Sequence, residues 1–168
     1  MTRKRYMNHD HDEVHDEVLQ KTGYWGKQGA GCLLVSLRTG KVLIPRRSAL
    51  VLEPGTWGVF GGAIDPDENE RQAVAREVDE EAGHKINPKS LEVLYTYADK
   101  GKDFKYTTYI GVVDDEFVPI LNWESSDAHW FEFGNWPSPL HYGLEKILTD
   151  ETALSIIERV CNLHKESQ

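Results

Sequence analysis

The sequence predicts an α/β domain in which helices cover both faces of a mixed sheet. Three observations support this. Strand-like apolar runs stand on either side of an amphipathic, acidic stretch at 69–82, and two further helical stretches close the chain. A length of 168 residues is one domain's worth, enough to bury a proper core.

The elements follow in chain order. Residues 1–28 form an arm of uneven character, basic at Thr2-Arg3-Lys4-Arg5 and then rich in histidine and acid from Asn8 to Glu17. Its histidines match no specific metal-site spacing. The arm reads as solvated, or as a short helix docking Val14, Val18 and Leu19, with transition-metal binding as the rival reading. The body is expected to run from 29 to 168 as a single domain. Gly31–Leu37 and Lys41–Pro45 read as a hairpin around Thr39-Gly40. Leu91–Ala98 and Tyr106–Val113 are strand candidates around Lys100-Gly101-Lys102, and Trp130–Phe133 is a short one. His141–Leu148 and Glu151–Cys161 read as helices, with Asp150 or Thr149 as the cap between them.

The stretch Asn69–Ala82 is expected to be a helix, with Asp67 as N-cap, Glu68 and Glu70 near the positive end of the dipole, and Gly83 as a left-handed C-cap. At about 100° per residue, Glu77, Glu80 and Glu81 share one face. Val74, Val78, Ala75 and Ala82 share the adjoining face, which would pack on a sheet, and Asp79 points to solvent. Carboxylates at i, i+3 and i+4 repel one another, so the helix needs a counter-charge. Arg76 can pair with Glu77, but one guanidinium cannot neutralise three carboxylates. Mg2+ or Mn2+ can, since hard cations prefer oxygen ligands. A solvated acidic face is the alternative. Just upstream, Pro54–Gly62 supplies glycine-rich backbone able to approach a phosphate or offer a carbonyl to a metal.

The segment from Gly62 to His84, GAIDPDENERQAVAREVDEEAGH, resembles the Nudix box, G-x5-E-x7-R-E-U-x-E-E-x-G-U with U aliphatic. Eight of the nine defined positions match, at Gly62, Glu68, Arg76, Glu77, Val78, Glu80, Glu81 and Gly83; His84 replaces the last aliphatic. Such a match arises by chance at roughly one start position in 10^8. The resemblance implies the Nudix α/β/α sandwich and a metal-dependent diphosphate hydrolase. It implies Glu77, Glu80 and Glu81 as metal ligands and catalytic carboxylates, and the Gly61 carbonyl as a further ligand. Arg76 would orient a box glutamate, while Glu68 would support the helix and the metal. Many members carry proline where this chain has Phe60. The family also implies a basic residue after an early strand, here Arg47, and a late loop glutamate on the metal, here Glu124 with Asp127 as competitor. Both acids could equally be solvated, and Arg47 could equally form a surface ion pair. Trp57, Trp123, Tyr97 and Tyr109 could stack a base, although aromatics in such strands more often belong to the core.

A net charge of −9 argues against tight binding to long nucleic acid and suits a small phosphorylated nucleotide bridged to the site by metal. No apolar run is long enough to span a bilayer, and no secretory segment stands near the start. Cys32 and Cys161 fit no metal or disulfide spacing and read as thiols of a reducing cytoplasm. The expected activity is cleavage of a diphosphate in a nucleoside diphosphate joined to a group X. That class takes in nucleoside triphosphates, nucleotide sugars, ADP-ribose and dinucleoside polyphosphates. The alternatives are a non-catalytic nucleotide sensor and an RNA 5′-pyrophosphohydrolase. The isomerase branch uses a cysteine with a glutamate, and Cys32 reads as core. Neither X nor the oligomeric state is written in the motif.

Overall fold

The computed structural model describes residues 28–166; the arm expected at 1–28 lies outside them except for Gln28. Among the described residues, six strands form a mixed sheet in the order β4-β5-β1-β2-β6, with β3 also pairing β1. The strands are β1 (Gln28–Ser36), β2 (Val42–Arg47), β3 (Phe60–Ala63), β4 (Glu92–Asp99), β5 (Phe104–Val113) and β6 (Ser125–Phe131). The helices are α1 (Glu70–Ala82), α2 (Tyr142–Leu148), α3 (Glu151–Cys161) and the short α4 (Leu163–Glu166).

β1 is the axis of the sheet. It runs parallel to β5 in continuous register from Gln28 opposite Lys105 to Ser36 opposite Val113. Its other edge is shared, by β2 at Leu34 and Val35 and by β3 from Gly29 to Cys32. A strand enclosed on both edges and both faces reads as a continuous small-and-apolar run, as Gly29–Ser36 does. Period-two alternation divides it between two cores. Ala30, Cys32 and Leu34 face Val74, Val78 and Ala82 of α1, while Leu33 and Val35 face Leu144, Ile147, Ile157 and Val160 of α2 and α3. This is the helix–sheet–helix sandwich.

Several boundaries differ from the sequence expectation. The glycine-rich segment is not free loop: Phe60–Ala63 is a strand, with Phe60 fully buried under α1. β1 begins at Gln28 rather than Gly31, because β5 pairs it that far. The N-cap of α1 is Asn69, not Asp67. Its side chain accepts from the Gln72 amide at 2.8 Å, and Gln72 returns a bond to the Asn69 amide, a reciprocal capping box. The α1 core face includes Ala73, while Ala75 is only half-buried. Gly83 ends α1 at φ 68°, ψ 28°, the left-handed conformation that favours glycine. β6 lies five residues earlier than expected at its start, because it follows β2 from Val42–Phe131 to Arg47–Ser125. His141 caps α2 rather than opening it, its Nδ1 accepting from Gly143 at 3.0 Å, and Asp150 caps α3.

The His141 cap needs an unprotonated Nδ1. Burial, aided by the nearby Arg47 charge, lowers its pKa from the ordinary 6.5 to about 4. A depressed histidine stabilises the fold above its unfolded pKa, and that contribution is lost as pH falls from about 6.5 towards 4. His141→Asn keeps a capping oxygen without titrating. Urea titrations across pH 7 to 4 should show about 1–2 kcal/mol less acid-induced loss in this variant than in the parent, after discounting for solvent screening of a half-buried ring.

Candidate active site

α1 rests on the sheet through Val74, Val78 and Ala82, and this orientation decides where its carboxylates go. Glu77 and Glu81 lie one turn apart and are only 6% and 4% exposed. Both point at β3. The Gly61 amide donates to Glu81 Oε2 at 3.2 Å. A Cβ on Gly62 would stand 2.7 Å from Glu77 Oε1, so only glycine lets the strand come this close.

Arg76 organises the acids on the near side. Its Nε donates to both oxygens of Glu68 at 3.1 Å, and Nη2 bonds Glu68 Oε1 at 2.5 Å and the Ala63 carbonyl at 3.1 Å. Nη1 reaches Glu77 at 2.9 Å and Glu80 at 3.3 Å, and Asp65 stands 3.4 Å from Nε. Burial alone would depress the guanidinium; the Glu68 hydrogen bonds and the charges of Glu77, Glu68 and Asp65 more than reverse this and keep it charged. Glu68 also accepts from the Asp65 amide at 2.9 Å, closing the turn into α1. Asp65 had no signal beyond its place inside the motif, since that position is unspecified there.

The tightest carboxylate group differs from the helical trio read from spacing. Glu77, Glu81 and Glu124 each place an oxygen within 4.8 Å of the others. Glu80 leans towards Arg76 instead, because Glu80 and Glu81 flank Glu77 on opposite sides of the helix face. Glu124 arrives from the turn before β6. The Asn122 side chain accepts from the Glu124 amide at 3.0 Å, and the Glu124 carbonyl accepts from Ser48 at 2.9 Å. A register shift between Arg46 and Arg47 sets this end of the β2–β6 pair. The competitor, Asp127, sits on β6 and pairs with His129 at 3.0 Å.

Burial raises the Glu81 pKa well above the ordinary carboxylate range, and the charges of Glu124 and Glu77 add to it. Two buried acids lie beside a third, and Arg76 is shared among Glu68, Glu77, Glu80 and Asp65. All the donors are oxygens, the set a hard divalent cation takes. The Gly61 carbonyl belongs to the same strand segment.

The remaining candidates divide. Arg47 is half-buried, its Nε donating to the Leu52 carbonyl at 2.5 Å, and its charge reaches Tyr106, His141 and Tyr142. Trp57 is only 9% exposed and sits in the α2–α3 core, edge-on to Phe131 at 5.4 Å with Arg46 over its ring. Its backbone ties the β2–β3 connection to Pro139 and His141. Tyr109 is buried beneath Arg71, and Tyr97 is exposed with Lys146 at 4.6 Å from its ring centre. Trp123 is half-buried, directly before Glu124. Cys32 is fully buried, which raises its pKa, and burial pushes Cys161 up to about 11; neither is a poised nucleophile. His84 stacks on Phe117 at 3.9 Å and 6° between planes. Sequence reasoning missed Tyr106, whose phenol is pushed up by burial and by the nearby Glu81 and Glu77. Among the described residues no helix is long and apolar enough to cross a membrane.

Comparisons with known proteins point to one family. The NUDIX domain family model matches residues 26–150. A Mycobacterium tuberculosis protein, provisionally named 8-oxo-dGTP diphosphatase 3, is 38% identical over 131 residues, covering 71% of this chain and 59% of its own length. The NAD-capped RNA hydrolase NudC of Stutzerimonas stutzeri is 33% identical over 107 residues, 58% of this chain and 37% of the relative. This chain thus spans less than two thirds of the length of both curated relatives. Among solved structures, the Nudix hydrolase RenU of M. smegmatis superposes with a TM-score of 0.60 at 27% identity, covering 86% of this chain and 90% of that one.

The crowding has a measurable sign. A carboxyl whose folded pKa is raised stabilises the fold below its unfolded value, and that stability is lost as pH rises through the folded value. In chelator at pH 8, Glu81→Gln should therefore melt about 2–4 °C above the parent, equivalent to about 1 kcal/mol. The parent should gain about 2.7 kcal/mol from Mg2+ at a hundredfold excess over its dissociation constant, and the variant should gain much less. Scanning calorimetry with and without Mg2+ checks both.

Proposed function

This chain belongs to the NUDIX family, and on that premise we propose that it is a metal-dependent pyrophosphohydrolase acting on a nucleoside diphosphate linked to a further group X. The observation that carries this reading is the group Glu77, Glu81 and Glu124, drawn within 4.8 Å beside a glycine strand with two of the three buried. Two buried acids so close together lower the stability of a fold, and a site for a cation accounts for their presence.

Glu77, Glu81 and Glu124 would hold Mg2+ or Mn2+, with Glu80 and the Gly61 carbonyl completing the donor set. When bound, such an ion neutralises phosphate oxygens and lowers the pKa of a coordinated water. The protein's own part is positional. Arg76 clamps Glu68, Glu77 and Glu80 so that the helix face stays ordered, and the Gly61 amide orients Glu81. Water adds to one phosphorus, the bridging P–O bond breaks, and the water's proton passes to a carboxylate of the cluster. Two phosphorylated products leave, the electron pair of the broken bond remaining on the departing phosphate. Arg47 remains the proposed phosphate contact, whereas Trp57, expected on the substrate side, packs in the α2–α3 core.

The two named relatives differ in what is attached to the nucleotide. X is therefore set outside the box. A net charge of −9 supports a small nucleotide over a long RNA. A non-catalytic sensor has no need of every box carboxylate, and here all are present.

A panel of nucleoside triphosphates, nucleotide sugars, ADP-ribose and dinucleoside polyphosphates, assayed with Mg2+ and scored by product mass, should reveal turnover that EDTA abolishes. Glu77→Gln and Glu81→Gln should each lower kcat at least about a hundredfold. Retention of parental kcat within threefold by both would remove these residues from the reaction.

A further inference from the structure

Tyr106 stands on β5 opposite Gly29 of the parallel β1, on the sheet face shared with Leu33 and Val35. Its ring crosses three glycines of two strands. A Cβ on Gly29 would lie 2.6 Å from Cδ2 of the ring, one on Gly31 2.6 Å from the phenol oxygen, and one on Gly61 2.5 Å from the same oxygen. A side chain at any of these positions would displace the ring. The space is therefore cut to the shape of Tyr106, and it delivers the oxygen, rather than a ring carbon, to Gly61.

That destination is informative. The Gly61 amide holds Glu81 at 3.2 Å, and Gly62 abuts Glu77, so the hydroxyl ends beside the carboxylate group. Glu81, Glu77 and Arg47 are the charges acting on it. No hydrogen bond to the phenol is found among the described residues. Were Tyr106 there only to fill the glycine gap, phenylalanine would fill it as well; the hydroxyl adds a donor at a half-buried position that is not sealed in the interior, where a ligand can reach it. A neutral phenol is a poor ligand for a hard cation, and at an ordinary pKa near 10 it is a donor at neutral pH. A donor standing between the Arg47 charge and a carboxylate cluster suited to a cation lies where the oxygens of a metal-bridged phosphate would be held.

We propose that Tyr106 is a substrate-contact residue, its hydroxyl donating to a phosphate oxygen of a diphosphate seated beside Glu81 and Arg47. The proposal rests on the diphosphate-hydrolase reading above and adds a residue outside the motif to it. It also places the diphosphate across β3, with α1 on one side and the Tyr106 face of the sheet on the other.

The test uses Tyr106→Phe, which keeps the ring and so the glycine packing. The probes are adenosine 5′-(α,β-methylene)diphosphate and inorganic pyrophosphate, titrated calorimetrically with Mn2+ present. Affinity for both should fall about tenfold or more in Tyr106→Phe, the loss expected of one hydrogen bond to a charged acceptor. Affinity for Mn2+ alone should stay within twofold, and the melting temperature should be unchanged or slightly higher. Tyr106→Leu, which empties the gap, should lower the melting temperature and so reports the packing role separately. Probe binding by Tyr106→Phe within twofold of the parent, or no probe binding by the parent, overturns the assignment. The two readings fail independently. Turnover that depends on Glu81 but ignores the phenol sinks Tyr106 alone. Phenol-dependent probe binding without turnover of any panel substrate sinks the hydrolase and leaves Tyr106 standing.

Discussion

Arg76 faces more acid than it can neutralise, and the active-site end of the fold is arranged around that shortage. Its donors are all spent: on Glu68 from the turn before α1, on Glu77 and Glu80 of α1, and on the Ala63 carbonyl of β3. One side chain thereby fastens the helix start, the helix face and the strand beneath it. Coulomb attraction inside a partly desolvated pocket is several times stronger than at the surface, so the clamp holds α1 against its own like-charge repulsion. Glu81 takes no part in the clamp. It accepts from the Gly61 amide; burial, and then the charges of Glu124 and Glu77, raise its pKa. The cluster therefore has one half organised by a guanidinium and another held by backbone.

Close approach makes this possible. β3 is short, and without a side chain at Gly62 its backbone lies directly against the Glu77 carboxylate. The same strand pairs with β1 through Gly61 opposite Gly31, so the main chain is thin on both faces where the ligand is proposed to sit. Phe60, directly before it, is fully buried under α1 and anchors the strand through packing. Rigid backbone with no side chains in the way, pinned by one aromatic, suits a site where small displacements change chemistry.

What the sequence made legible follows from how local each interaction is. The α1 carboxylates, the Gly83 stop and the apolar stripe through Val74 and Val78 depend on spacing within one helix, and spacing is visible in sequence. Asn69 was harder to choose over Asp67, because Glu68 lies between them and its commitment to Arg76 is a tertiary fact. The replacement of Glu80 by Glu124 in the tightest group depends on how β6 registers on β2, a pairing between residues far apart in sequence. Tyr106 was illegible for a related reason. Its meaning lies in three glycines on two other strands, each of which alone reads as a turn or a flexible joint. Phe60–Ala63 looked like loop because glycine lowers strand propensity, yet pairing with β1 outweighs that.

The departure at His84 can be understood in the same terms. An aliphatic residue after the C-cap glycine would only cover the helix end. His84 lays its ring on Phe117 at 3.9 Å, nearly parallel, and Phe117 meets Trp130 edge-on at 5.5 Å while its carbonyl accepts from the Trp130 indole. A few residues on, the Ile120 amide donates to the Ala82 carbonyl, one of the acceptors that the helix C-terminus leaves open. The segment 117–124 is thus fastened at two points to the end of α1 and at a third to β6. That segment carries Glu124, while α1 carries Glu77 and Glu81. Three carboxylates that repel one another stay within 4.8 Å only if the elements bearing them cannot drift apart, and the stacked imidazole is one of the contacts that prevents it. A flat ring makes a directional contact that a branched aliphatic chain does not, so the exception to the motif secures the geometry that the rest of the motif builds.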